Sequence, residues 1–94
     1  MAGYWIVRGG ETTDADALQE YGKLWPAIAA QFGAELIAGK GRVETPEGPQ
    51  YARQMIVRFG SYEQALACYE STEYAAAKKL ALLASERELV IVEG

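Results

Sequence analysis

Histidine is absent from this 94-residue sequence, and that absence excludes more chemistry than any other feature of the chain. Without imidazole there is no histidine-activated serine or cysteine nucleophile, no His-ligated zinc and no His-ligated haem. Cysteine occurs once, at Cys68. No internal disulfide can form, and a lone thiol fits a reducing, cytoplasmic compartment. Lys and Arg number nine against thirteen Asp and Glu, for a net charge of −4, and the cations form no run. Affinity for a phosphate backbone rests on clustered cations, so no nucleic acid is expected as a partner. No apolar stretch approaches the ~18 residues of a membrane span. The chain also passes from Met1 to the strand-like Tyr4-Trp5-Ile6-Val7 without a basic leader. Neither export nor membrane insertion is expected.

What is present is an ordinary globular composition, 50% apolar and 23% charged, which is enough to drive collapse around a core. The length suits one domain spanning residues 1–94. A chain this short buries only about 60–65% of its unfolded surface alone, so a second subunit covering one more face would be a natural supplement.

Residues 4–8 are aromatic and β-branched and stop at Gly9-Gly10, as a strand followed by a turn does. Thr12, Thr13 and Asp14 then offer N-cap oxygens ahead of Leu18, Tyr21, Trp25, Ile28 and Phe32, spaced three and four apart. This predicts a helix that ends at Gly33 and is kinked at Pro26. Residues 34–44 alternate loosely and predict a second strand, with Gly39 and Gly41 inviting a bulge. Past a turn rich in Pro46, Gly48 and Pro49, the alternation of Met55, Val57 and Phe59 makes residues 51–59 a third strand. Ser61 with Gln64 is a capping box opening a second helix, which Ser71-Thr72 should break or bend before it resumes toward Ser85. Residues 88–93 close the chain as a strand apolar from Leu89 to Val92.

The order is therefore βαββαβ. It predicts an α+β, ferredoxin-like sandwich with antiparallel sheet order 4-1-3-2 and both helices on one face. The first and last strands read as covered on both faces, so a sheet from a second subunit is the expected cover for the helix-free side.

With the elements in place, the sequence resembles the small bacterial proteins of the family called domain of unknown function 1330, within the dimeric α/β-barrel superfamily. The likeness spans the chain. It rests on Gly3-Tyr4-Trp5-Ile6, Tyr21, Phe32-Gly33, Gly41-Arg42-Val43-Glu44 with Glu47-Gly48, and Phe59 with Ser61-Tyr62-Glu63. It continues through Tyr69, Ser71, Glu73-Tyr74 and the closing Leu89 to Gly94. Arg58 stands where an acidic residue is common in such proteins, and Gly60 where proline is common. The resemblance implies a homodimer in which two four-stranded sheets face each other as a barrel, each subunit keeping a cleft between sheet and helices. It implies no reaction, since a fold does not carry function.

Trp5, Tyr21, Trp25, Tyr69 and Tyr74 suit an apolar pocket wall, and equally a core or a dimer seam. Arg8, Arg42, Arg53 and Arg58 fall on predicted strands. The 4-1-3-2 order brings the end of the first strand beside the start of the third, so Arg8 and Arg53 could converge on a carboxylate or phosphate. They could equally end in ion pairs with Glu35, Glu44 or Glu93. The pairs Glu70 with Glu73 and Glu44 with Glu47 lack surroundings that would raise a carboxyl pKa. No loop has calcium-binding spacing, and Gly39-Lys-Gly-Arg is not followed by the Gly-Lys-Ser/Thr of a phosphate loop. Cys68 has no activating base and reads as a packing residue. The element order is shared with RNA-recognition domains, but the third strand lacks their basic aromatic signature.

These observations predict a homodimer with a cleft for a small, partly apolar or anionic molecule. Its expected lining is Tyr21, Trp25, Tyr69 and Tyr74, with Arg42 or Arg53 supplying charge. No metal or cofactor is expected, and any catalysis would rest on Tyr or Glu as acid or base, or on oxygen chemistry driven by the substrate itself. The alternative is a non-catalytic structural or interaction module whose aromatics only build core and seam.

Overall fold

The aromatic and β-branched run at Tyr4–Val7 sits in the middle of the central sheet. In the computed structural model, which describes residues 1–94, the order is β1 (Gly3–Gly9), α1 (Ala15–Phe32), β2 (Glu35–Ala38), β3 (Arg53–Phe59), α2 (Tyr62–Glu70), α3 (Thr72–Ala84) and β4 (Arg87–Glu93). The four strands form one antiparallel sheet in the order β2-β3-β1-β4. This is the expected 4-1-3-2 order read from the other edge, and the fold is α+β and ferredoxin-like.

Alternation along β1 decides which side is core. Gly3, Trp5, Val7 and Gly9 are buried, and the residues between them are not. Directly opposed residues of neighbouring strands share a face, so Val57 and Ile91 flank Trp5 on the helix side. Ile56 and Val90 flank Ile6 on the other side by the same register. Gly3 allows α2 to begin against β1, since a Cβ there would lie 2.5 Å from the carbonyl oxygen of Ser61.

Helix α1 is capped at its start by Asp14, whose carboxylate accepts from the Ala17 N–H at 3.0 Å. It ends at Gly33 in the left-handed conformation (φ 67°), and Ala34 N–H turns back onto the Ala29 carbonyl at 2.9 Å. Pro26 lies within the helix without ending it. The expected interruption at Ser71-Thr72 is a full break into two helices. Ser71 is extended (φ −69°, ψ 154°) and caps both, donating to the Cys68 carbonyl at 2.7 Å and accepting from Tyr74 N–H at 3.1 Å.

The second strand is shorter than the sequence predicts. It covers Glu35–Ala38, with a register irregularity between Leu36 and Ala38, and all four residues are exposed. Residues 39–52 form no regular element. Three glycines and two prolines in that stretch weaken or forbid ladder hydrogen bonds, and no helix covers the strand. On β4, Leu89 and Ile91 pack against the core while Val90 stays 52% exposed. One subunit therefore covers only one face of this strand.

Candidate functional site

Trp5 anchors an aromatic group beneath the helices. Its ring centroid lies 5.6 Å from Trp25, 5.1 Å from Phe59, 5.9 Å from Tyr69 and 5.2 Å from Tyr74. Its indole N–H donates to the Ala65 carbonyl at 2.9 Å, which satisfies the polar end of an otherwise apolar residue. Tyr21 stacks on Trp25, with centroids 6.2 Å apart and an interplanar angle of 9°.

A polar chain runs through this aromatic group. Tyr74 is completely buried, positioned by the Ser71 cap at the start of α3. Its hydroxyl accepts from Arg87 Nη2 at 2.9 Å and lies 3.1 Å from the Tyr21 hydroxyl. Three elements meet here: α1 brings Tyr21, α3 brings Tyr74, and β4 brings Arg87 as its first residue. Burial, and then the neighbouring Tyr74 phenol, hold the Tyr21 pKa far above the ordinary phenol value. Burial is the largest single influence on Arg87 and works against its charge, but the interactions with Tyr74 and Tyr21 together outweigh it and the guanidinium pKa stands above its usual value. Both shifts keep Tyr21 neutral and Arg87 charged near neutral pH. The chain can therefore donate hydrogen bonds and stabilise negative charge, and it offers no base for proton abstraction.

Two ion pairs occur in the chain, Lys23 with Glu20 at 3.0 Å and Arg8 with Glu88 at 3.9 Å. Neither involves Arg87 or Arg53. A partly buried guanidinium without a carboxylate bears a desolvation cost that an anion would offset.

The anticipated convergence of Arg8 with Arg53 does not occur. Arg8 lies opposite Gln54 and Glu88 on the helix-free face, where its guanidinium carbon stands 4.6 Å above the Tyr51 ring. Arg53 lies opposite Gly9 on the helix side and lines a small cleft there with Tyr21, Ser85 and Arg87. Arg42 is also separated from the tyrosines. It borders a trough of about 780 Å³ between residues 39–44 and the helix-free face, alongside Ile6, Ile37 and Ile56. Tyr69 packs edge-on against Trp5 and carries the Lys78 ammonium 4.1 Å above its ring. It belongs to the aromatic group and does not line the cleft. Cys68 is fully buried, and burial pushes its thiol up to about 12. No three acidic or thiol side chains gather as a metal site would require.

Arg87 is the site residue that sequence reasoning missed. The last strand was expected to begin at Glu88, one residue too late. Strand order alone would have found it, because the start of β4 must lie beside the end of β1, where Gly9 faces the helices.

Residues 2–94 match the family described as "Domain of unknown function (DUF1330)". The chain belongs to that family. No curated protein matches it in sequence. Among solved structures it is similar to a protein of unknown function from Rhodopseudomonas palustris, with a TM-score of 0.76, 13% identity, and coverage of 99% of this chain and 82% of that one. A dimeric protein of unknown function with a ferredoxin-like fold, from Bacteroides fragilis, gives a TM-score of 0.62 at 17% identity over 99% and 96% of the two chains. A protein from Nitrosomonas europaea, provisionally described as an antibiotic biosynthesis monooxygenase, gives 0.55 at 14% identity over 99% and 89%. At these identities the likenesses establish the fold of this DUF1330 chain and leave its chemistry to its own residues.

Proposed function

We propose that this protein is a homodimer whose subunits each bind a small, partly apolar molecule in the cleft between sheet and helices. Tyr21 and Arg53 line the cleft, with Arg87 held in its wall by Tyr74. Trp25 and Tyr69 form the aromatic backing behind them. The observation that carries the reading is Arg87 itself, a guanidinium drawn under the helices by a buried phenol and answered by no carboxylate. Folding gains little from such a charge, whereas binding gains orientation and specificity from it. Any reaction at this site would proceed by polarising or stabilising an anionic centre.

The dimer reading is supported by the row Ile56, Ile6 and Val90 across three strands of the helix-free face, and by the dimeric description of the Bacteroides fragilis relative. Two such faces meeting would close the sheets into a barrel and cover the apolar trough beside Arg42. No helix is long and apolar enough to cross a membrane, and an unpaired thiol suits a cytosolic setting.

One observation favours the rival reading of a non-catalytic structural module: the cleft volume is only about 20 Å³, room for roughly one water. Native mass spectrometry of the purified protein separates the two. The expected spectrum shows a dimer carrying extra mass per subunit that Arg87→Met loses. A dimer of bare chains in every preparation favours the structural module, and a monomer overturns the paired-sheet reading.

A further inference from the structure

Arg53 on β3 and Arg87 on β4 stand opposite the same residue of β1, Gly9. Both therefore rise from the helix side of the sheet, with their Cα atoms roughly 10 Å apart across two strand spacings. Gly9 between them has no side chain, so the floor is bare backbone. A Cβ there would come to 3.6 Å from Ser85 Oγ and 3.7 Å from Arg87 Cβ, so its absence leaves room beside both side chains.

Tyr21 supplies the third wall. Arg87 donates into the Tyr74 oxygen, and the Tyr74 hydrogen, buried, needs an acceptor; the Tyr21 oxygen at 3.1 Å is the one at hand. Tyr21 then keeps its own hydrogen for whatever occupies the cleft it lines. Two cations and one hydroxyl donor around a bare floor match the acceptor-only oxygens of a carboxylate.

We propose that the cleft is a monocarboxylate site. The carboxylate sits over Gly9 between Arg53 and Arg87 and accepts from the Tyr21 hydroxyl, and an uncharged, partly apolar tail points outward. This rests on the pocket reading above and adds the ligand class. The tail has a place to go: Ser85 and Arg87 also border an outer trough of about 480 Å³ with Tyr51, Leu82, Glu86 and Glu88. Arg87 thus forms the partition between cleft and trough, and the proposal requires its side chain to shift when a group larger than water enters. Glu86 sets the specificity by repelling a second negative charge on the tail, so selecting monocarboxylates over dicarboxylates, and Glu88 adds less because Arg8 pairs with it at 3.9 Å.

The test is to titrate the full-length protein at constant ionic strength with butyrate, butyramide and succinate. The arginine side-chain N–H signals and the aromatic signals are followed by NMR. Butyrate is expected to shift the Arg53 and Arg87 signals saturably, with butyramide at least about tenfold weaker, the worth of a charge-assisted hydrogen bond, and succinate weaker through repulsion of its second charge. Arg53→Met and Arg87→Met should each weaken butyrate by a similar factor. If Arg87→Met does not fold, Arg53→Met carries the comparison, since the Arg53 side chain makes no hydrogen bond or ion pair within the subunit. Equal binding of butyrate and butyramide at Tyr21 would overturn the carboxylate class and leave the pocket standing. Butyrate shifts that survive both substitutions would overturn the clamp, and no saturable shift with any probe would overturn clamp and pocket together.

Discussion

The helix side of the sheet carries Trp5, Val7, Val57 and Phe59, none more than 5% exposed, whereas the opposite side presents Ile6, Ile56 and Val90, the last 52% exposed. These residues alternate along the same strands, so one backbone serves two different surfaces. On the helix side large aromatics meet at tilted angles, and a buried N–H is satisfied at a fixed carbonyl, which admits few alternative packings. The opposite side has an aliphatic row at its centre, with charged and polar side chains such as Arg8, Glu88 and Gln54 beside it and no helix over it. The first arrangement fixes a single chain, and the second suits a surface that a copy of itself can cover.

The largest expected effect breaks the first surface. Trp5→Ala removes the residue around which four aromatic rings gather and leaves the Ala65 carbonyl without its donor. Truncating a buried aromatic costs about 3–5 kcal/mol. That is comparable with the 5–15 kcal/mol that holds a typical domain together. Urea unfolding at fixed protein concentration should show most of the stability gone. A loss below about 1 kcal/mol would mean that the aromatic group is not the core.

A smaller effect is expected at the second surface, and of a different kind. Ile6→Glu places a carboxylate in the middle of the helix-free row, and a two-fold interface would bring two such charges face to face. Dimer dissociation should become easier by at least about thirtyfold, equivalent to ~2 kcal/mol. Sizing with light scattering should show monomer, while the far-ultraviolet circular dichroism of the subunit is retained. An unchanged dimer would move the interface elsewhere and leave the helix-free row unexplained.

The two surfaces were unequally legible in the sequence. Hydrophobic spacing, the Asp14 and Ser61 caps and the Gly33 stop are local signals, and each element they mark exists at nearly the expected place. The Ser71 break was legible because a serine both accepts at one helix start and donates at another helix end. Loose alternation predicts strand through residues 39–44, but an edge strand is held by pairing and cover, and neither reaches them. Tyr21, Trp25 and Tyr74 gather because they occupy core-facing helical positions, which spacing predicts. Arg42 and Arg87 exchanged importance because register decides their place. A one-residue error in where β4 begins hides the arginine facing the helices, and an overlong β2 puts another where a loop lies.

The smallest effect is a pH dependence that appears only in alkali and sharpens the contrast from the buried side. The Tyr21 pKa is raised by burial and by Tyr74 above an ordinary value of 10.0. The fold therefore favours the neutral phenol, and that contribution is fully present below about pH 10. As pH rises beyond it, the unfolded chain loses the Tyr21 proton first, and stability falls by at most about 1.4 kcal/mol per pH unit until the folded phenol also ionises. Cys68, raised by its own burial to about 12, and Tyr51, raised by the neighbouring Glu88 carboxylate, slope in the same direction. The informative quantity is thus the difference between wild type and Tyr21→Phe. It should be flat from pH 7 to 9 and then move in favour of the variant as pH climbs past 10, read from urea midpoints with tyrosinate absorbance as the companion signal. A flat difference throughout would mean that Tyr21 reaches water freely, and the cleft behind Arg87 would then be open to solvent without any ligand to open it.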